Sequence, residues 1–101
     1  MNHATTTHHT VTPWGIADSA THVAEGITFY STPSHGGYHL SPERRAAMPP
    51  AIRDKETFAR GNWYEEDCDW ALVALAFPAY FPPEAIDAAH RVCAHYHQDV
   101  T

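Results

Sequence analysis

An uninterrupted apolar run, Trp70 to Phe77, constrains the fold more than any other feature of the chain. It follows directly on a cluster of acidic residues and is closed by Pro78. A run with no polar side is typical of an element buried all round, and proline stops a helix. We therefore predict a central buried helix from about Trp63 to Phe77, with Asn62 as its N-cap. The run is far too short to span a bilayer.

The acidic cluster lies in the predicted first turns of this helix and consists of Glu65, Glu66, Asp67 and Asp69. Carboxylates at a helix start interact favourably with the helix dipole, but one or two suffice. Catalysis needs two carboxylates that converge on a cleft, whereas neighbours on one turn point apart. The cluster also lacks the alternating spacing and the glycine of a calcium loop. Two readings remain: an acidic recognition surface, or only a helix start.

The rest of the chain predicts a single α+β domain over residues 14–101. Residues 1–13 are polar, rich in Thr and His and without periodicity, which predicts a flexible tail. Two β-prone runs around Glu25-Gly26, and a third after Gly36-Gly37, predict a three-stranded antiparallel meander from residue 21 to residue 40.

Helix signals complete this architecture. Ser41 and Pro42 suit the N-cap and first position of a short helix, which Pro49 and Pro50 end. Pro83 stands near the start of a last helix with an apolar stripe. The predicted fold is a small antiparallel sheet of about three strands, packed against two main helices, plus the short helix.

Charge is unevenly distributed along a chain whose net charge is −6. Residues 61–101 carry seven acids and one base, Arg91, whereas residues 41–60 carry three acids and five bases. An acidic half repels phosphates, so direct nucleic-acid binding is disfavoured. Cys68 and Cys93 do not make a disulfide-dense scaffold, and no secretion signal is evident. We therefore expect a cytoplasmic protein with free thiols.

Histidine and cysteine offer a competing reading as a zinc factor or small enzyme. His90, Cys93 and His97 are spaced for one side of a helix, and a fourth ligand would be His35, His39 or Cys68. No C-x-x-C or H-E-x-x-H pattern accompanies them. Acidic neighbours disfavour a Cys68 thiolate nucleophile. We therefore predict no metal ligand, no cofactor and no catalytic residue.

Two stretches carry a resemblance to a known kind of domain. "GITFYSTPSHGGYHLSPERRAAMP" followed by "NWYEEDCDWALVALAFP" resembles an uncharacterised small domain in proteins of bacterial phages, plasmids and other mobile elements, over roughly residues 14–81. The resemblance supplies no catalytic residues. It implies a context in which a small acidic protein is an anti-defence factor, of which anti-CRISPR proteins are the best-known kind.

From these observations we expect a non-enzymatic protein that inhibits a host defence complex by occupying a basic, nucleic-acid-binding surface. The partner would be a CRISPR-effector type of complex, with neither nucleic acid nor membrane bound directly, and the chain itself a monomer or homodimer. A structural assembly module of a mobile element is the further alternative. The predicted contact residues are the acids Glu65, Glu66, Asp67, Asp69, Glu84 and Asp87 and the aromatics Trp63, Tyr64 and Tyr80.

Overall fold

The computed structural model describes residues 5–6 and 10–97, which form seven strands and four α-helices. The strands are β1 (Thr5–Thr6), β2 (Val11–Thr12), β3 (Gly15–Ile16), β4 (Ser19–Ala24), β5 (Ile27–Ser31), β6 (Gly36–Leu40) and β7 (Trp63–Glu65). The helices are α1 (Pro42–Ala47), α2 (Pro50–Arg53), α3 (Trp70–Ala76) and α4 (Pro83–Tyr96), with a 3-10 turn at Pro78–Tyr80. The α+β prediction is confirmed.

One antiparallel sheet of five strands has the order β1-β4-β5-β6-β7, and β2 and β3 form a separate hairpin. The predicted meander is present as β4, β5 and β6, in the register Thr21↔Phe29 and Phe29↔Tyr38. Gly26 has φ +81, which allows the tight reversal between β4 and β5. The sheet is wider than predicted because β1 pairs with β4 and β7 pairs with β6.

The predicted flexible tail contains strand residues in its described part. Thr5 and Thr6 pair with Thr21 and Ala20 of β4, and Val11–Thr12 pairs with β3. Residues 5–6 and 11–12 of the predicted tail are therefore strand residues in this fold. The remainder of residues 1–9 lies outside the described residues.

The predicted helix from Trp63 to Phe77 begins only at Trp70. Residues 63–65 instead form β7, and the Leu40 N–H donates to the Asn62 carbonyl at 3.0 Å, so Asn62 is a sheet partner and not an N-cap. Tyr64 is 2 % exposed because its side chain joins the core. Pairing with β6 and burial of this tyrosine thus outweigh the helix signal in this segment.

The core lies between the sheet and helices α3 and α4. Leu72 and Val73 of α3 are fully buried, as are Ile27 and Leu40 of the sheet. The predicted central position of the apolar run is confirmed for Ala71 to Ala74, whereas its outer members Trp70, Leu75 and Phe77 are partly buried against the core.

The short helix and the last helix form where their sequence signals stand. Ser41 caps α1 through its hydroxyl, which accepts from the Arg44 N–H at 3.1 Å, and Pro42 is the first residue of the helix. Pro83 likewise begins α4. Proline fixes the backbone angle that the first helical residue needs and lacks an amide that would be unpaired there.

Candidate functional site

The acidic loop, residues 65–69, connects β7 to α3 and is folded by its own first side chain. The Glu65 carboxylate accepts from the Asp69 N–H at 3.0 Å, from the Asp67 N–H at 3.0 Å and from the Cys68 N–H. Three backbone amides thus converge on one side chain. Glu65 is therefore engaged in holding the loop and has little capacity left for a partner.

Asp69 ties the acidic loop to two other segments. It is fully buried, and its two oxygens accept from the N–H groups of Phe58 at 3.0 Å, Ala59 at 2.9 Å and Glu65 at 3.3 Å. His97, at the end of α4, lies with Nε2 3.4 Å from Asp69 Oδ1. Burial raises the pKa of Asp69, and the three amides act against that rise.

Burial removes two residues from the predicted contact set. Asp69 is 0 % exposed and Tyr64 is 2 % exposed, so neither side chain is available to a partner on the folded surface. In the sequence Asp69 is one of four neighbouring acids and Tyr64 adjoins Trp63, and neither pattern shows which of these side chains is turned inward.

Glu66 and Asp67 are the acids that the loop presents to solvent. Both are exposed, and the Glu66 N–H donates to the Gly36 carbonyl at 2.9 Å, which fixes the loop against the start of β6. Within residues 10–97 neither carboxylate forms an ion pair with Lys or Arg; the neighbour of Glu66 is His35, with Nδ1 at 3.9 Å from Oε2. These two charges are therefore exposed and unneutralised.

The other predicted contact acids, Glu84 and Asp87, are exposed near the start of α4. Their spacing of three residues places them on one side of that helix. Tyr80 precedes them and is 40 % exposed. Its hydroxyl accepts from Arg44 Nη2 at 3.1 Å, and the guanidinium lies 5.2 Å from the ring centre. Tyr80 thus already holds a cation of its own chain.

Trp63 lies half-buried in a cluster of rings on the face of the sheet opposite the core. Its ring centre is 4.6 Å from that of His39, 5.5 Å from Tyr30 and 5.8 Å from Trp14. A Cβ on Gly37 would stand 2.3 Å from the Trp14 ring, so this glycine makes room for the tryptophan. The sequence singled out Trp63 but missed Tyr30, which the strand alternation of β5, β6 and β7 brings to the same face. It also missed Trp14, which lies in the turn between β2 and β3 and reaches this face only through the tertiary fold.

A cleft of about 410 Å³ lies beside the buried Asp69–His97 pair. Its lining includes the exposed rings of Phe58 and Tyr96, whose centres are 6.1 Å apart, and the cation Arg60. Sequence reasoning missed this cleft because residues 55–61 show only a loop pattern and the C-terminal end of α4 lies far away in the chain.

The family of the chain follows from a comparison of its sequence with models of known families. Residues 7–100 match the model described as "Domain of unknown function (DUF7007)". The chain belongs to this family. The resemblance to an uncharacterised small domain is thereby confirmed, and the family description assigns no role to any residue. The search of curated proteins and the search of solved structures each found no match.

The cysteine and histidine set of the zinc reading does not converge in this DUF7007 domain. Among the described residues, one group of three side chains has its possible ligand atoms close enough together to share a metal ion. It consists of His35, Glu66 and Asp67. Burial and the neighbouring acids, Glu65 foremost, raise the pKa of Cys68 to about 11. Burial also raises the pKa of Cys93. Both shifts disfavour the thiolate that a metal or a nucleophilic mechanism needs.

None of the helices within the described ranges is long and apolar enough to cross a membrane.

Proposed function

We propose that this DUF7007 domain is a non-enzymatic protein that binds a basic protein surface through its exposed acids. On the resemblance to proteins of mobile elements, the partner is a defence complex of a bacterial host. The bound domain then inhibits that complex by excluding nucleic acid from a Lys- and Arg-rich groove.

The observation that carries the proposal is that two acids of the acidic loop hold its backbone while two others are exposed to solvent. The carboxylate oxygens of Glu65 and Asp69 accept hydrogen bonds from backbone amides, and these bonds hold the loop in one conformation. Glu66 and Asp67 are left exposed on that fixed backbone. Charges presented by an ordered loop lose less conformational entropy on binding than charges on a mobile one, so the arrangement favours recognition.

The charge balance of the C-terminal half supports the same conclusion. Residues 61–101 carry seven acids against one base, and Glu84 and Asp87 are exposed as Glu66 and Asp67 are. A surface with one sign of charge attracts an oppositely charged groove over a Debye length, about 10 Å at 0.1 M salt. Nucleic acid, which carries the same sign, is repelled by it.

Competition with DNA tests the proposal. Purified CRISPR effector complexes are incubated with labelled target DNA, and displacement by the domain is followed by fluorescence anisotropy. The double variant Glu66→Gln/Asp67→Asn is compared with the parent and with Asp18→Asn/Glu25→Gln, which removes the same charge from two exposed acids elsewhere.

We expect the loop variant to displace DNA at least tenfold less well at 0.1 M salt, with the control close to the parent. The difference shrinks at 1 M salt, where the Debye length is about 3 Å. Equal displacement by parent and loop variant at low salt would refute a role of the acidic loop in recognition. Failure of the parent to displace DNA from any effector tested would refute the proposed mode of inhibition.

A further inference from the structure

We infer that His35, Glu66 and Asp67 form a site for a divalent transition-metal ion, and that Zn²⁺ is the ion that these side chains fit best. This inference is independent of the proposed partner and concerns the same two carboxylates together with a histidine. The three residues come from the turn before β6 and from the acidic loop after β7, which the sheet places side by side.

The ligand atoms are already close together. One nitrogen of His35 and one oxygen from each carboxylate lie within 4.8 Å of one another, and His35 Nδ1 is 3.9 Å from Glu66 Oε2. Around tetrahedral zinc, with bonds of about 2.0–2.2 Å, such atoms stand roughly 3.3 Å apart. Side-chain rotations that bring the atoms together by up to about 1.5 Å therefore complete the site. The exposure of the His35 and Glu66 side chains, 58 % and 38 %, leaves room for these rotations.

The backbone beneath the site is fixed on both sides. Thr32 closes the turn that carries His35: its hydroxyl donates to the His35 carbonyl at 2.6 Å and accepts from the His35 N–H at 3.1 Å. The Glu66 N–H donates to the Gly36 carbonyl at 2.9 Å, which joins this turn directly to the acidic loop. A Cβ on Gly36 would lie 3.3 Å from Glu66 Oε1 and only 2.7 Å from the Tyr30 carbonyl, so the carboxylate rests over a position without a side chain.

The imidazole distinguishes this group from an ordinary cluster of surface acids. Two carboxylates this close repel each other, and in the described part of the chain no Lys or Arg forms an ion pair with either. A divalent cation relieves that repulsion. An imidazole among the ligands favours zinc over calcium or magnesium, which prefer oxygen, and three protein ligands leave a fourth position for water.

Zinc titration of the full chain tests the site. Because His3, His8 and His9 also offer imidazoles, all three are replaced by Asn in every protein compared. Zinc affinity and stoichiometry are measured by competition with a chromophoric chelator, and circular dichroism checks the fold. The variants are His35→Ala, Glu66→Gln/Asp67→Asn, and the matched control His95→Ala, which removes another exposed histidine.

We expect one zinc ion per chain, a loss of at least tenfold in affinity for His35→Ala and for the double variant, and an unchanged affinity for His95→Ala. Zinc binding that His35→Ala leaves intact, or the absence of stoichiometric binding by the parent, would overturn the assignment.

The zinc-site proposal and the partner-surface proposal can be refuted independently of each other. His35→Ala keeps both carboxylates, so in zinc-free buffer it displaces DNA as the parent does if the acidic loop recognises a basic partner. Loss of zinc binding with retained displacement supports both proposals, whereas loss of zinc binding by this variant when the parent displaces no DNA supports the metal site alone. Parent-like zinc binding by the same variant removes the metal site and leaves the partner proposal standing.

Discussion

Replacement of Asp69 by alanine is the sharpest test of how the acidic loop is held. The carboxylate is fully buried and accepts from the backbone amides of Phe58, Ala59 and Glu65. Alanine leaves these three donors without their acceptor. It also leaves His97 Nε2, 3.4 Å away in the parent, without its charged neighbour.

The magnitude follows from the number of amides affected. A buried donor that loses its partner costs about 1–3 kcal/mol, and three donors lose theirs here. Because the three amides share one carboxylate, their losses are not additive, and the freed cost of burying a charge offsets part of them. We expect a decrease in the free energy of unfolding of about 3–5 kcal/mol, a large part of the roughly 5–15 kcal/mol of a typical domain.

Urea denaturation followed by tryptophan fluorescence measures this change. With an m-value of about 1.5 kcal/mol/M, a loss of about 4 kcal/mol lowers the unfolding midpoint by roughly 2–3 M. The matched control is Asp67→Ala, an exposed acid two residues away, for which we expect a change within about 0.5 kcal/mol. An Asp69→Ala midpoint equal to that of the control would refute the reasoning that Asp69 anchors the loop.

Two further predictions concern the core and the loop thiol. Leu72→Ala should cost about 2–5 kcal/mol in urea denaturation, and more than Leu75→Ala, because Leu72 is fully buried whereas Leu75 lies at the core margin; equal costs would contradict the assigned core. The pKa of Cys68 is raised from 9.0 to about 11, so at pH 8 this thiol should react with iodoacetamide about 100-fold more slowly than an ordinary thiol. The rate should rise tenfold per pH unit toward pH 11. Glu65→Gln, which removes a neighbouring negative charge, should accelerate the reaction. A rate that levels off near pH 9 would disprove the raised pKa. Because the folded pKa is raised, the stability linked to this thiol is present below about pH 9 and is lost as the pH rises toward 11.

Local signals predicted the elements whose structure depends on near neighbours. Ser41 and Pro42 begin α1, Pro83 begins α4, and Glu25-Gly26 turns β4 into β5, because caps and turns are decided by a few adjacent residues. The apolar run was recognised as buried for the same reason, since it carries no polar group that needs solvent.

The sequence by itself therefore determined the α+β class, the central position of the apolar run and the presence of a dense acidic segment. Tertiary structure alone decided what each acid does. Residues 63–65 became a strand because β6 offered unpaired backbone groups, and this displaced the helix start to Trp70. Asp69 is buried because its carboxylate accepts hydrogen bonds from the amides of residues 58 and 59. Glu66 and Asp67 instead lie close to His35 at the end of the sheet. Four similar carboxylates in one short segment differ only in the partners that distant parts of the chain bring to them, and no pattern within that segment encodes those partners.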